Sequence, residues 1–273
     1  MIPFTKAHAC GNDFLIVSEE AVHGCDRAEL ARELCERNTG IGADGIEFVS
    51  WTGPKSGRIH LHNADGSPAE ISGNGTRCVA AWMAEATGAQ GGDAVEIETD
   101  AGLRVCHIDS VSSEGDFTVE VTTDMGVPEF SARTVTIPGG VQVHGMEVSM
   151  GNPHFVIFVD NEDFVVDRQH WQSIGQQICM HPDFPEQTNV EFVRVVSLDE
   201  IEIRVYERGV GPTASSGTGT SASATAARAL KGCQSPLFVS APGGGQTVTW
   251  EGPGQELRLT GPAVLIARGE AWY

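Results

Sequence analysis

The sequence contains one short segment twice, about half a chain apart. Ser-Gly-x-Gly-Thr occupies Ser72–Thr76 and Ser216–Thr220, an offset of 144 residues (216 − 72) in a chain of 273. The segment GIEFV that starts at Gly45 matches NVEFV, which starts at Asn189, at the same offset. A match of two separate segments in one register indicates duplication rather than chance.

Further matches extend the repeat to five segments in the same order. Asn63 corresponds to Glu207 at offset 144, and Asn12 corresponds to Asn152 at offset 140. To the right of each serine, TDAGLRV resembles APGGGQTV. Two copies are too few for a solenoid, so we predict two similar lobes related by a pseudo-two-fold axis. A cleft between such lobes is a common place for a small-molecule site.

Short β-branched and alternating segments dominate both halves, such as FLIVSE and IEIRVYE, and they predict strands. Helical spacing is confined to three segments, which are Asp26–Asn38, Arg77–Gly88 and Thr220–Gly232. The pattern predicts an α+β protein with two pseudo-symmetric lobes, each a curved, mostly antiparallel sheet around a central helix.

The lobe boundaries follow from the start of the second copy. We predict an N-terminal lobe of residues 1–147, a C-terminal lobe of residues 148–260 and a closing strand of residues 261–273 that returns to the N-terminal lobe.

The net charge limits the kinds of molecule that the protein is expected to bind. Formal net charge is −20, which argues against nucleic acid and anionic membranes. No apolar run approaches membrane-spanning length, and MIPFTKAHACGNDF lacks the pattern of a signal peptide. Seven widely spaced cysteines without a C-x-x-C pair suit free thiols in the cytoplasm better than disulfides or zinc.

Each Ser-Gly-x-Gly-Thr precedes an Ala-rich helical segment. A single copy is explained by an N-cap serine. Two copies favour a ligand site, because glycine admits close approach and the N–H groups at a helix start attract an anion. We expect the two helix starts to grip one carboxylate from both sides.

Several polar residues recur in or beside the repeated segments. An isolated asparagine at a strand end usually belongs to a turn. Four asparagines within the repeated segments instead suggest a set of side chains that bind a ligand: Asn12, Asn63, Asn152 and Asn189. Arg208 suits either a surface ion pair with Glu207 or another carboxylate, or a fork for a ligand carboxylate. His154 is either a structural hydrogen-bonding group or part of the site, and no histidines have metal-ligand spacing.

The ordered motifs GNDF, NADGS-x-x-E-x-x-GNG-x-RC, GNPH, TNV-x-F, YERG-x-G-x-T and TGPA resemble the diaminopimelate epimerase family along essentially the whole chain. The resemblance implies a PLP-independent and metal-independent isomerase with two lobes. Members of that family interconvert LL- and meso-2,6-diaminopimelate for lysine and peptidoglycan synthesis. The implied partner is therefore a small amino acid, without a cofactor.

The resemblance also implies roles for individual residues. Substrate-reading side chains would be Asn12, Asn63, Asn152, Asn189, Glu207 and Arg208. Backbone N–H groups at Gly73-Asn74 and Gly217-Thr218 would hold the carboxylate of the reacting carbon. Asn74 is expected to contribute its backbone rather than its side chain.

The chain departs from the family at the two proton-transfer positions. The family places one cysteine on each face of the α-carbon, whereas this chain has Ser72 and Ser216. Gly45 stands where the family usually has Gln, and Pro212 where it usually has Glu. The serines are either introduced substitutions that trap the enzyme, native residues of a divergent branch, or marks of a protein that binds without turnover. Drift at Gly45 and Pro212 slightly favours a native branch.

A serine hydroxyl is a far weaker acid than a thiol and needs a neighbouring base. We therefore assign catalytic positions to Ser72 and Ser216 with Glu207 and His154 as activators, and we expect the serines to face each other. Two alternatives stay open, which are an isomerase similar to the phenazine-biosynthesis PhzF-like proteins and a non-catalytic amino-acid-binding homologue. A homodimer is considered, and the sequence leaves the oligomeric state open.

Overall fold

The computed structural model describes residues 1–273. A 3-10 turn, η1, spans Glu19–Val22. The α-helices are α1 Arg27–Cys35, α2 Gly73–Thr87, α3 Trp171–Cys179 and α4 Gly217–Lys231. None of them combines the length and apolarity needed to cross a membrane.

The strands of the first half are β1 Ile2–Ala9, β2 Asn12–Ser18, β3 Gly45–Gly53, β4 Ser56–Asn63, β5 Pro68–Ala69, β6 Ala94–Thr99, β7 Gly102–Ser112 and β8 Phe117–Gly126. Those of the second half are β9 Glu129–Ile137, β10 Val141–Ser149, β11 Pro153–Phe158, β12 Val165–Val166, β13 Gln169–His170, β14 Asn189–Val195, β15 Glu200–Glu207, β16 Gly211–Thr213, β17 Leu237–Ala241, β18 Gly244–Trp250 and β19 Leu257–Ala271.

The chain forms two compact units. Unit 1 comprises Met1–Asp124 and Gly261–Tyr273, and unit 2 comprises Met125–Thr260. The boundary expected between residues 147 and 148 lies inside β10, whereas unit 2 begins before β9 because β9 pairs with β10. The last strand, β19, contributes its first residues to unit 2 and pairs with β1 through its later residues.

Unit 1 is a curved sheet with the strand order β19-β1-β2-β3-β4-β6-β7-β8. Pairing of β8 with β19 closes the sheet into an 8-strand, barrel-like form. Within the order from β19 to β8, all neighbours are antiparallel except β2–β3 and β4–β6. Parallel neighbours require a crossover, and α1 and α2 lie in those two connections.

Unit 2 repeats this scheme in the order β9-β10-β11-β14-β15-β17-β18-β19. Its two parallel pairs are β11–β14 and β15–β17, and their crossovers contain α3 and α4. The order of parallel and antiparallel pairs is therefore the same in both units. The architecture confirms the predicted α+β class with two similar lobes.

The central helix of each unit is almost wholly enclosed. In α2 the buried face includes Val79 and Met83, which pack with apolar strand residues. In α4 it consists largely of alanines, with Ala222 and Ala226 fully buried in the core of unit 2. Gly88 and Gly232 end the helices with φ of 69° and 71°, a conformation that glycine adopts without strain.

Three details differ from the sequence-based expectations. The central helices begin at Gly73 and Gly217, earlier than predicted, because the glycine-rich segments form the first helical turn. The nine-residue helix α3 was not predicted, although it corresponds to α1. The segment VSMGNPHFVIFV forms two strands rather than one, because Gly151 turns the chain with φ of 96°.

Candidate active site

The start of α2 is organised by Ser72. Its Oγ accepts a hydrogen bond from Gly75 N (3.1 Å), and its carbonyl accepts one from Thr76 N (2.8 Å). Ser72 is therefore the N-cap, as the simplest interpretation of one copy expected. The N–H groups of Gly73 and Asn74 precede the first intrahelical bond, so they lie at the positive end of the helix dipole.

The start of α4 repeats this arrangement in unit 2. Ser216 Oγ accepts from Gly219 N (3.3 Å), and Ser216 O accepts from Thr220 N (2.9 Å). Gly217 and Thr218 occupy the positions that Gly73 and Asn74 hold in α2. Each unit thus presents an N-cap serine and a buried, glycine-rich first turn.

A buried carboxyl group lies against the first turn of α2. Glu47, on β3, is fully buried, and both of its carboxyl oxygens lack a hydrogen-bond partner. Its Oε1 occupies the space that a Cβ on Gly75 would need, and Ser72 Cβ lies 3.2 Å from that same point. The second glycine of Ser-Gly-x-Gly-Thr is therefore required by Glu47.

The equivalent carboxyl group in unit 2 is Glu191, on β14. It is fully buried, and a Cβ on Gly219 would lie 2.8 Å from Glu191 Oε1 and 3.3 Å from Ser216 Oγ. His154 Nδ1 lies 2.7 Å from Glu191 Oε1, whereas Oε2 has no partner. The Glu–Gly contact is thus built twice, 144 residues apart.

The two carboxyl groups differ in their neighbours. In the strand ladders His154 pairs with Asn189, and Phe14 pairs with Gly45, so Phe14 takes the place of His154 in unit 1. Burial raises the pKa of Glu47 to about 8, and no ionic partner opposes it. Burial also raises the pKa of Glu191, while His154 acts in the opposite direction. The Glu47 carboxyl group is therefore mainly protonated at neutral pH, whereas the Glu191 carboxyl group has an imidazole within hydrogen-bond distance.

His154 has protein partners on both ring nitrogens. Nε2 lies 2.9 Å from Asn152 Oδ1, and Asn152 Nδ2 donates to Thr218 Oγ1 (3.4 Å). Since the amide oxygen faces His154, Nε2 carries the proton of that contact. The imidazole is fully buried and links Glu191 to the second residue of α4.

A matching link joins Asn12 to α2. Asn74 Nδ2 donates to Asn12 Oδ1 (3.2 Å), and Asn12 Nδ2 donates to Asp44 Oδ2 (2.6 Å). Arg77 Nη2 donates to Asn74 Oδ1 (2.6 Å), and Arg37 forms a salt bridge with Asp44. The Asn74 side chain is thus an organiser of the helix start, a role that the sequence did not suggest.

The predicted site residues at the end of β15, Glu207 and Arg208, form hydrogen bonds to different partners. Asn189 Oδ1 accepts from Arg208 N (2.9 Å), and Thr213 Oγ1 donates to Glu207 Oε1 (2.9 Å). The exposed Arg208 guanidinium donates to the Glu186 carbonyl (3.2 Å) and forms no salt bridge. An ion pair between Glu207 and Arg208, one of the two expectations for this arginine, is absent.

Asn63 and Gly45 sit together on neighbouring strands. They are partners in the β3–β4 ladder, and Asn63 Nδ2 donates to Ser67 Oγ (3.0 Å). A Cβ on Gly45 would lie 2.7 Å from the His62 carbonyl oxygen. A side chain at position 45 therefore requires a local shift of β4.

The described side chains contain no group of three or more His, Cys, Asp or Glu residues placed to hold a metal ion. Cys78, which follows the glycine-rich turn, is buried inside α2, and burial raises the pKa of its thiol well above its usual range.

Comparison with known families agrees with these repeated motifs. The sequence profile of diaminopimelate epimerase matches residues 4–131 and 146–266. The chain belongs to the diaminopimelate epimerase family. Two proteins of that name illustrate the similarity. The one from Parabacteroides distasonis is 35% identical over 269 residues, covering 98% of this chain and 97% of that protein. The one from Thermosynechococcus vestitus is 37% identical over 296 residues, covering 98% of each.

Solved structures with low sequence identity share the fold. A Bacillus anthracis phenazine biosynthesis protein of the PhzF family matches with a TM-score of 0.72 and 17% identity, covering 100% of this chain and 99% of that one. A hydroxyproline epimerase from Agrobacterium vitis, with bound trans-4-OH-L-proline, matches with a TM-score of 0.71 and 17% identity, covering 98% and 90%. These likenesses show the fold alone.

Within this member of the diaminopimelate epimerase family, sequence reasoning missed Glu47, Glu191 and Asp44. A signal existed for the first two, because GIEFV and NVEFV place one Glu inside an apolar segment of each copy. A charged residue in a buried strand needs a compensating partner or a function. The role of Asp44 depends on the Asn12 contact, which spans 32 residues and has no local sequence pattern.

Glu47 gives the protein a specific dependence of stability on pH. Its pKa is about 8 in the folded protein and ordinarily 4.5, so folding takes up a proton between these values. The free energy of unfolding should therefore fall as pH rises from about 5 to about 8, by at most roughly 5 kcal/mol at 1.36 kcal/mol per pKa unit. Glu47→Gln should remove that fall.

Urea unfolding of both proteins from pH 4.5 to 9 measures this effect. Glu96→Gln is the matched control, because Glu96 is an exposed glutamate on β6. Parallel pH curves for the starting chain and Glu47→Gln would show that Glu47 does not change its protonation on folding.

Proposed function

We propose that the protein is a cofactor-independent epimerase that acts at the α-carbon of an amino acid, and that it interconverts LL- and meso-2,6-diaminopimelate. The supporting observation is the twice-built helix start, in which an N-cap serine lies beside a buried carboxyl group. Relatives named diaminopimelate epimerase at 35% and 37% identity support the choice of substrate.

The substrate carboxylate on the reacting carbon would bind to N–H groups at Gly73-Asn74 and Gly217-Thr218. These groups lie in the first turns of α2 and α4, where the helix dipole favours negative charge. Negative charge grows on that carboxylate as the α-proton leaves. The same N–H groups would then stabilise the transition state more than the ground state.

Proton transfer would involve Ser72 and Ser216, one on each face of the α-carbon. Each serine Oγ accepts a backbone N–H bond, which leaves its hydroxyl proton available for donation. A serine is a poor base by itself, so a neighbouring group must accept its proton. Glu207 and His154 remain the sequence-based candidates for this role.

The amino and carboxylate groups at the non-reacting end of the substrate would be bound by polar side chains: Asn12, Asn63, Asn152, Asn189, Glu207 and Arg208. Retention of the four asparagines and of the Glu-Arg pair favours diaminopimelate over the substrates of PhzF-like isomerases. Gly45 adds no side chain to this shell.

Proton exchange in D2O tests the proposal directly. Incubation with LL- or meso-diaminopimelate should replace the α-proton signal in NMR spectra by deuterium and should interconvert the isomers. Binding of diaminopimelate without exchange would instead identify a non-catalytic amino-acid-binding homologue. Exchange confined to other amino acids would reject diaminopimelate as the substrate.

Arg208→Ala should weaken diaminopimelate binding strongly. The guanidinium has no salt bridge in the protein, so its charge is available to a substrate carboxylate. Loss of a charge-assisted contact that becomes desolvated on binding should cost roughly 2–5 kcal/mol. Isothermal calorimetry measures the change, with Arg228→Ala as control, because Arg228 also donates to a backbone carbonyl. An unchanged dissociation constant would assign Arg208 to the protein surface alone.

Replacing both serines by cysteine should accelerate α-proton exchange. The helix starts favour a thiolate at positions 72 and 216, whereas a serine alkoxide is scarcely populated near neutral pH. Two-base chemistry needs one ionised and one protonated group, so Ser72→Cys and Ser216→Cys should each fall well short of the double variant. Deuterium incorporation across the four proteins provides the comparison. A double variant no faster than the starting chain would contradict this account of the serines.

A further inference from the structure

A chain of hydrogen bonds links a buried carboxyl group to the start of α4. Glu191 Oε1 lies 2.7 Å from His154 Nδ1, and His154 Nε2 lies 2.9 Å from Asn152 Oδ1. Asn152 Nδ2 in turn donates to Thr218 Oγ1 (3.4 Å). The imidazole is fully enclosed, and both of its nitrogens are used in these contacts. His154 therefore has no ring nitrogen left for Ser216.

We infer that Glu191 and His154 are positioning residues, which orient the Asn152 amide so that the second residue of α4 keeps its hydroxyl proton for a ligand carboxylate. The inference rests on the proposed function, because that function places the substrate carboxylate at this helix start. It gives His154 a role in binding in place of the activation of a serine.

The direction of the hydrogen bonds follows from the protonation of Glu191. Its Oε2 is enclosed without a partner, which is costly for a carboxylate and much less costly for the carbonyl oxygen of a neutral acid. Burial accordingly raises the pKa of Glu191, although His154 acts against this shift. A neutral Glu191 donates its proton to Nδ1 of the imidazole. The proton of the imidazole itself then lies on Nε2, which donates to Asn152 Oδ1.

The last contact of the chain decides what Thr218 offers to a ligand. Because Asn152 Oδ1 accepts from the imidazole, Nδ2 is the atom that faces Thr218 and donates to its Oγ1. The threonine oxygen is thus an acceptor in this chain, and its own proton remains for another acceptor. The Thr218 N–H also precedes the first intrahelical bond, which Thr220 N donates to Ser216 O. Hydroxyl and N–H of one residue can therefore donate to the same carboxylate.

Unit 1 contains a chain that runs in the opposite direction. Arg77 donates to Asn74 Oδ1, and Asn74 Nδ2 donates to Asn12 Oδ1. Asn12 Nδ2 then donates to Asp44, which forms a salt bridge with Arg37. The donors therefore run away from α2 and end at a carboxylate, whereas in unit 2 they run towards α4 and end at a hydroxyl. The additional hydroxyl donor is specific to the start of α4.

The imidazole tautomer provides a test that needs no ligand. In protein with isotope-labelled histidine, the nitrogen chemical shifts near neutral pH should show a protonated Nε2 in His154. The spectrum of His154→Phe, in which these signals are missing, identifies them. An unprotonated Nε2 would mean that Asn152 is turned round and that Thr218 donates its hydroxyl proton to the amide oxygen. That result would overturn the inference.

Binding measurements test the link to the ligand. His154→Phe introduces the residue that unit 1 has at this sheet position, and Thr218→Val removes the hydroxyl at nearly constant volume. Each should weaken diaminopimelate binding about 10-fold or more in calorimetry, with circular dichroism unchanged. Thr218→Ser and His154→Gln should recover most of the affinity, because serine restores the hydroxyl and a glutamine amide can donate to Asn152 in place of Nε2. His144→Phe is the matched control, since His144 is an exposed histidine on β10.

The double variant shows whether the two residues act through one contact. If His154 acts through the Thr218 hydroxyl, His154→Phe combined with Thr218→Val should weaken binding by clearly less than the product of the two single effects. Single effects that multiply in the double variant would show independent roles and would overturn the inference.

The two kinds of measurement separate the possible failures. A chain with a protonated His154 Nε2 that binds no diaminopimelate would reject the proposed function while supporting the orienting role of Glu191 and His154. Diaminopimelate binding that is unchanged by Thr218→Val would leave the proposed function in place and overturn the part assigned to the hydroxyl.

Discussion

The site depends on the contact between a buried carboxyl group and a glycine in the first turn of a helix. Glu47 and Gly75 form it in unit 1, and Glu191 and Gly219 form it in unit 2. Any side chain on these glycines would have to displace the carboxyl group from an enclosed position. The contact fixes how closely β3 and β14 approach the helix starts, and hence where the N-cap serines and the first N–H groups of the helices lie. One short-range contact thus sets the backbone geometry of each helix start.

Much of the fold could be predicted from the sequence, because the duplication makes each sequence pattern occur twice. The Ser-Gly-x-Gly-Thr segments, the alternating strands and the glycine-terminated helices each occur twice, so chance matches were easy to discount. The helix α3 escaped because its apolar residues cover less than three turns, and its counterpart α1 has an Asp N-cap that α3 lacks. The sequence pattern predicts that α2 and α4 begin later than they do, because glycine is a poor helix former. In this case the N-cap serine and the tertiary packing override that preference.

The candidate site was only partly predictable. Residue types at repeated positions identified the serines and asparagines, but not which atoms they bond. The Asn12–Asn74 and Asn152–Thr218 links join residues 62 and 66 positions apart, so only the folded chain brings them together. Glu47 and Glu191 stand inside the repeated segments GIEFV and NVEFV, but only the folded chain shows that both are fully buried. A polar residue that recurs inside a buried strand carries more information than the apolar residues around it.

The path of β19 has a consequence for synthesis of the protein. This strand of fifteen residues, Leu257–Ala271, is the last in the sequence, yet its later residues pair with β1, the first strand. On the ribosome, β1 therefore waits for nearly the whole chain before its second neighbour emerges, a delay of roughly tens of seconds at about 5–20 residues per second. During that interval one edge of β1 is unpaired and open to intermolecular pairing. Unit 1, although first in sequence, is therefore completed last. A chain that stops before β19 would keep the exposed edge of β1, which chaperones would have to cover.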